Sequence, residues 1–395
     1  MNSCPHSSSR RAFLKSSLAL GAGLALSPFA RLHAASGGEF KLLDTKTISV
    51  ESQFYHGWPT VSRRDNGELW VVWSGGRDAH ICPMGQVHAM TSRDNGETWS
   101  WPRVLLDSAI DDRDAGMLVT AKGTLLVSTF TSLAYEPFLE KAMAGKKTPF
   151  VNAANLPKWL GVHNRLSAEE RRAQLGEWIL RSTDAGMTWS TVLPSIVNSP
   201  HGPIQLKDGR LLYPGKQLWT PEGKIGVSES LDDGLTWHWL AEIPTREGDV
   251  LKGEYHELHG VETNDGRIIV HIRKEKGANA NETLQTESSD GGKTWSVPHS
   301  IEVWGLPSQL LKLRDGRLLM SYGYRRKPFG NQVRVSVDNG KTWGEPLTIS
   351  EDGAYGDLGY PSTVELADGT LLTVWYEHLA NNDKAVLRQA RWTLR

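Results

Sequence analysis

Side chains able to do chemistry gather at equivalent points of this chain, each just ahead of a short glycine turn. Tyr55, His56 and Trp58 precede Asn66-Gly67. Asp112, Arg113 and Asp114 precede Lys122-Gly123, and His201 precedes Asp208-Gly209. His256, Glu257 and His259 precede Asp265-Gly266, and Tyr360 precedes Asp368-Gly369. Carboxylates, imidazoles and a phenol can move protons or attack an electrophile, while guanidinium groups hold carboxylates as planar forks. One histidine alone signals little. Acids, bases and arginines at repeated points of a periodic chain are the signature of a shared site.

The elements that must position them are hairpins. Six segments run from an apolar or polar strand through Asn-Gly, Asp-Gly or Lys-Gly into a second apolar run. The segment from Leu306-Pro307-Ser308 through Asp315-Gly316 completes the set. Such a turn between apolar runs is a strong short-range hairpin signal. A second motif, Ser-x-Asp-x-Gly-x-Thr-Trp, occurs at Ser92–Trp99, Ser182–Trp189, Ser230–Trp237, Ser288–Trp295 and Ser336–Trp343. In it the Asp can accept from main-chain N–H groups, the Gly can take φ > 0, and the Trp brings a large apolar body. Six inner hairpins and five such boxes predict an all-β chain of radially repeated sheets, a six-bladed β-propeller. The sixth blade lacks a box. Its last strand is expected at Ala385 to Arg395, closed by the N-terminal segment Phe40 to Val50.

The first two boxes are 90 residues apart, against 48, 58 and 48 for the other intervals. Blade 2 therefore carries an insertion of roughly 40 residues between Ala134 and Trp178, partly helical. Ser167-Ala168-Glu169-Glu170 reads as a capping box that opens a short helix through Leu175. Most of the 16 Trp are accounted for by repeat positions and blade packing.

At the N-terminus, Ser9-Arg10-Arg11-Ala12-Phe13-Leu14-Lys15 precedes a short apolar stretch, Ser17 to Ala30, and small residues near Ala34-Ala35-Ser36. This reads as a twin-arginine leader over residues 1–35, with the propeller over 36–395. The expected location is the periplasm or the exterior of a bacterium. The stretch is too short and Gly-rich for a membrane span, so the mature protein should have none. Four of the 44 Lys and Arg lie in the leader, leaving 40 against 45 acidic residues. That balance gives no electrostatic footprint for nucleic acid. Cys82 is the only cysteine beyond the leader, which rules out an internal disulfide, and no Cys/His spacing resembles a zinc site.

The site motifs resemble those of the sialidase (neuraminidase) superfamily, over the whole mature chain. Glu257-Leu258-His259-Gly260 through Asp265-Gly266-Arg267 and on to Arg273 is similar to the family's Glu, hairpin and Arg. Gly359-Tyr360-Pro361-Ser362 through Asp368-Gly369 is similar to the segment that carries its Tyr nucleophile. The resemblance implies an exo-acting glycosidase that removes a terminal acidic sugar from a glycan and requires no cofactor; a monomer without a metal is expected. It makes Tyr360 the nucleophile, Glu257 its base and Arg273 a carboxylate clamp. A further Arg is implied before the fifth box. Arg325, Arg326 and Arg334 are available, and Arg326 is taken. A phenol with a reference pKa near 10 needs such a base to attack near neutral pH. Glycosidases with a Tyr nucleophile stand outside the two-carboxylate rule.

The chain also departs from the family. The Phe/Tyr-Arg-Ile-Pro segment is replaced by Tyr55-His56-Gly57-Trp58-Pro59, with Gly57 in place of the first arginine. His56, Arg77 or Arg113 could replace that arm. The family's acid/base Asp lies in the loop after the first inner hairpin, which makes Asp78 the candidate. Asp78 and Asp114 could equally pair with Arg77 and Arg113. Asp114, His201 and His259 complete the expected substrate-binding rim. Two rival readings stay open. One is a lyase on uronate-containing polysaccharide, with His201, His256 or His259 as base. The other is a glycan-binding propeller without turnover.

Overall fold

The computed structural model describes residues 38–51 and 53–395, and the leader expected at residues 1–35 lies outside them. The described strands form six four-stranded antiparallel sheets, each a consecutive run of the chain except the last. Blade 1 comprises Tyr55–Arg63, Leu69–Arg77, Gln86–Ser92 and Arg103–Leu106. Blade 2 comprises Asp111–Val119, Leu125–Ser132, Glu177–Ser182 and Leu193–Pro194. Blades 3, 4 and 5 open on Ile204–Gln205, Tyr255–Glu262 and Ser308–Lys312. Blade 6 is Gly359–Glu365, Leu371–Glu377 and Val386–Leu394, completed by Phe40–Thr47 from the other end of the chain. The closing strand pairs from Phe40 with Leu394 to Thr47 with Arg388. It covers an edge that would otherwise present unpaired N–H and C=O groups, and it shuts the ring.

Burial falls from the axis outward. Tyr55–Arg63 is buried over its first seven residues and Leu371–Glu377 throughout, while Phe40–Thr47 and Arg103–Leu106 are largely half-buried or exposed. The apolar core lies between neighbouring blades. Trp70, Val72 and Val87 of blade 1 meet Ala115, Met117 and Leu180 of blade 2. Trp375 and Trp392 of blade 6 meet Leu319 and Val333 of blade 5. Each such fully buried side chain contributes roughly 1.5–3 kcal/mol, so the ring is held by apolar interfaces between successive blades.

The five boxes behave as their residues require. In the first, Ser92 Oγ donates to Asp94 Oδ1 (2.7 Å) and accepts from Gly96 N–H (2.9 Å). Asp94 accepts from Thr98 N–H (2.9 Å) and Thr98 Oγ1 (2.6 Å). Gly96 holds φ = 80°, open to glycine at little strain. The boxes also latch adjacent blades. Trp99 Nε1 donates to Gln389 Oε1 of blade 6 (2.7 Å), and Trp343 Nε1 to Gln285 Oε1 of blade 4 (3.0 Å).

The insertion holds three helices, Glu136–Met143, Leu156–His163 and Ala168–Ala173, where the sequence signalled one. The third opens on the expected capping box at Ser167 and Glu170. The first two start at Tyr135 and Asn155 with no side-chain cap, and only a proline in the first turn, Pro137 and Pro157, marked each start. They form a satellite core of Tyr135, Leu139 and Trp159 that takes in Ile81, Cys82 and Met84 from the loop after blade 1's first hairpin.

Candidate active site

Four inner strands carry a residue forced into the left-handed region at the same point. Trp58, Asp114, Glu257 and Tyr360 hold φ of 55°, 48°, 47° and 52°. Each lies at a break in strand register. A bulge of this kind re-aims a side chain, and left-handed backbone without glycine costs of order 1–3 kcal/mol, a pattern concentrated at functional sites.

Three residues meet there. Tyr360 Oη donates to Glu257 Oε1 (2.5 Å). Arg273 Nη1 donates to Glu257 Oε2 (2.5 Å) and to Tyr360 Oη (3.0 Å). Burial pushes the Tyr360 hydroxyl well above its usual range, and the charge of Glu257 adds to this. Burial also pushes Glu257 upward, but Arg273 and the Tyr360 hydroxyl outweigh it and leave the carboxyl below its ordinary value. Near neutral pH the pair is therefore a phenol donating to a carboxylate, the protonation state that a nucleophile and its base need.

Arg325, and not Arg326, attends Tyr360. Its guanidinium carbon lies 5.7 Å from the Tyr360 ring centroid, and its Nε donates to Leu358 O (3.0 Å). Arg326, the residue taken from the sequence, is exposed and turns to Trp304, 6.0 Å away. Arg334 bonds Tyr322 Oη and Gly344 O within its own blade.

Next to Gly57, which stands where the family's first arginine was expected, is Trp58. Its indole lies between Arg113 (4.6 Å) and Arg77 (5.1 Å). Arg77 is fully buried. It is taken up by the Asp111 carboxylate, Ser74 Oγ (3.0 Å) and the carbonyl of His80 (3.0 Å), so it is a structural cation and not a substrate arm. Arg113 is less committed, with Asp111 at 3.6 Å and a buried Nε lacking a partner. His56 faces away, bonded to Glu51 O (2.9 Å) and Trp73 Nε1 (3.0 Å). Neither Asp78 nor Asp114 makes the ion pair with Arg77 or Arg113 that the sequence left open as an alternative. The Asp78 carboxylate bonds Lys158 Nζ of the insertion (2.9 Å). Burial raises Asp114 to about 7, Arg113 opposing and Glu257 adding to the shift, and its Oδ1 has no partner.

His201 and His259 lie in contact, with ring centroids 5.6 Å apart, and His201 lies 6.3 Å from the Tyr360 ring. Both are buried, which drives His201 down to about 3 and His259 well below its ordinary value. They also border a cavity of about 400 Å³ lined by Thr60, Met117 and Leu310, residues further along the inner strands. His256 is half-buried beside Glu275 (3.6 Å).

A second polar cluster escaped the sequence reading. Asp357 accepts from Tyr55 Oη (3.0 and 3.2 Å), Tyr376 Oη (2.8 Å) and His80 Nδ1 (3.0 Å). Tyr376 packs on Tyr360 with centroids 5.8 Å apart. Of its members only Tyr55 had been singled out as a site candidate, ahead of the first hairpin; His80 and Tyr376 lie in segments next to the candidates Asp78 and Tyr360. Among the described residues no group of three or more His, Cys, Asp or Glu could hold a metal ion, and no helix is long and apolar enough to cross a membrane.

The BNR repeat-like domain family matches residues 151–373. A sialidase of Bacteroides fragilis (strain YCH46) is 25% identical over 228 residues, covering 50% of this chain and 39% of that one. A sialidase of Micromonospora viridifaciens is 29% identical over 133 residues, covering 32% of this chain and 20% of that one. The chain thus spans well under half the length of these curated relatives. Among solved structures, a protein of unknown function from Dyadobacter fermentans superposes with a TM-score of 0.73 at 23% identity, covering 90% of this chain and 99% of that one. A Hadza microbial sialidase gives 0.60 at 18%, covering 85% and 65%. The sialidase of Trypanosoma rangeli in complex with sialic acid gives 0.57 at 17%, covering 85% and 54%. These likenesses show the fold.

Proposed function

We infer, from the premise that the chain belongs to the BNR repeat-like domain family and fits the sialidase superfamily, that it is an exo-acting glycoside hydrolase releasing a terminal acidic sugar, sialic acid or a relative, from a glycan. One observation carries this reading: Tyr360, Glu257 and Arg273 converge, with the phenol bonded to the carboxylate at 2.5 Å. Tyr360 attacks the anomeric carbon while Glu257 takes its proton. Arg273, Arg325 and Arg113 supply the positive charge for the sugar's carboxylate, which a neutral phenol approaches without the repulsion an anionic nucleophile would meet. The reading includes twin-arginine export of a folded monomer to the periplasm or beyond.

The experiment is a screen of purified protein on aryl glycosides of sialic, related ulosonic and uronic acids. Release of the aglycone by the wild type and its loss in Tyr360→Phe are expected. No turnover on any of them at any pH would favour a glycan-binding propeller. An unsaturated product absorbing in the ultraviolet would favour the lyase.

A further inference from the structure

We propose that His80, held by Asp357, is the general acid and base of this site, in place of the carboxylic acid that the resemblance puts on the same loop; the assignment rests on the hydrolase reading above. The loop after the strand Leu69–Arg77 is fixed by the insertion. Ile81, Cys82 and Met84 sink into the satellite core with Tyr135, Leu139 and Trp159. Arg77 Nη2 holds the His80 carbonyl at 3.0 Å. The same anchoring sends Asp78 to Lys158 (2.9 Å) and turns His80 inward, edge-on to Trp58 at 4.9 Å between centroids. Tyr360 packs edge-on to that indole too, at 6.4 Å. The nucleophile and the imidazole thus flank one aromatic ring.

Hydrogen bonding settles which nitrogen is offered. Asp357 is held deeply ionised: burial raises it, but the nearby His378 (3.4 Å) and the bonds from His80 and Tyr376 outweigh that. A carboxylate can only accept, and the Tyr55 hydroxyl 3.1 Å from the same nitrogen spends its own proton on Asp357 and can accept too, so the His80 Nδ1 at 3.0 Å from Asp357 is assigned the proton. The hydroxyls of Tyr55 and Tyr376 occupy the rest of Asp357, which holds the carboxylate in place. His80 Nε2 is left as the working nitrogen, on a side chain 35% exposed. A carboxylate that fixes the tautomer of a histidine and stabilises its imidazolium is a recurring catalytic arrangement.

The step balances. The Tyr360 oxygen bonds the anomeric carbon as its proton passes to Glu257. The glycosidic C–O bond breaks, and the leaving oxygen takes the electron pair and the Nε2 proton of the His80 imidazolium. In the second step water attacks the anomeric carbon and gives its proton to His80 Nε2. The departing Tyr360 oxygen recovers its proton from Glu257. The groups facing His80 are Asp357, Tyr55, Arg77 and Arg113. Burial lowers its pKa and the two arginines add to this, while Asp357 opposes them. The imidazolium therefore forms below the ordinary histidine range, and cleavage should speed up as pH falls into it. Were Asp114, at about 7, the acid, the fall in rate would centre near neutrality instead.

The test compares two glycosides of one sugar, with a 4-nitrophenyl and an alkyl leaving group, on wild type, His80→Asn and Tyr360→Phe. Removing a general acid slows a reaction about 10²–10⁴-fold when the leaving group needs a proton. His80→Asn should lose at least about a hundredfold on the alkyl glycoside and far less in the nitrophenyl burst phase, while Tyr360→Phe loses both. An equal loss on the two substrates, or none, overturns the role of His80 and leaves the hydrolase reading standing. A wild type silent on both overturns the two together. A readout independent of turnover is ¹⁵N histidine NMR. The neutral His80 should carry its proton on Nδ1, and Asp357→Asn should disturb that tautomer. A proton on Nε2 instead overturns the assignment.

Discussion

Tyr360 and Glu257 stand 103 residues apart on different blades, yet the hydroxyl of one meets the carboxylate of the other at 2.5 Å. Both reach that point from left-handed backbone, with φ of 52° and 47°. Two strained residues bonded across the axis indicate a geometry fixed by the rest of the ring, since neither strain would persist without support.

Tyr360→Phe removes one oxygen and keeps the ring on Trp58 and Tyr376. Fold stability should be nearly retained while kcat falls by several orders of magnitude, because no covalent intermediate can form there. Steady-state kinetics beside a melting curve checks both. Turnover surviving within about tenfold would remove Tyr360 from the nucleophile role.

Arg273→Lys keeps a cation but loses the planar fork that sets Nη1 on Glu257 and Tyr360 and Nη2 beside Glu275. Substrate binding should weaken by about 1–3 kcal/mol, the scale of a charge-assisted hydrogen bond. Unchanged kinetics in a folded protein would take Arg273 out of the clamp.

What could be read from the sequence follows the range of the forces involved. The boxes and hairpin turns are local: Ser92, Asp94, Gly96 and Thr98 satisfy one another within a few residues, so their composition announced the blades. The Tyr360, Glu257 and Arg273 set was named through the resemblance of its motifs to those of the sialidase superfamily. The bulges were not legible, because left-handed backbone at Trp58, Asp114, Glu257 and Tyr360 is imposed by tertiary contacts and not by any glycine. Nor was the bond between His80 and Asp357, 277 residues apart. Asp78 read as catalytic on its loop position, but the insertion's Lys158 decides where it points.

Asp114 should make stability depend on pH. Its carboxyl titrates at about 7 in the fold against an ordinary 3.8. Below about pH 4 both states bind the proton and nothing is lost. Between 4 and 7 the unfolded chain ionises while the folded one resists, so stability falls as pH rises. The loss saturates above 7 at about 4 kcal/mol as an upper bound. Asp114→Asn keeps the shape without the titration. It should be more stable than wild type at pH 8 and equal to it near pH 4, measured by denaturant unfolding at each pH. A stability difference that does not change with pH would show that Asp114 is not held protonated.

Arg325 and Arg326 are neighbours in sequence and opposite in setting, which makes them a controlled pair. Arg325 is half-buried, tethered to Leu358 O and placed 5.7 Å from the Tyr360 ring, while Arg326 is exposed over Trp304. If positive charge near Tyr360 holds the sugar's carboxylate, Arg325→Ala should raise KM for an acidic glycoside by about ten- to a hundredfold, the equivalent of roughly 1.4–2.8 kcal/mol. Arg326→Ala should stay within about twofold, as exposed charges away from a site usually do. The screening of exposed charges adds a second check. Raising salt from 0.05 to 0.5 M should change KM only modestly if the contact is half-buried, because screening acts mainly on exposed pairs. Equal effects of the two alanines would mean that long-range charge, and not the placement of Arg325, governs binding.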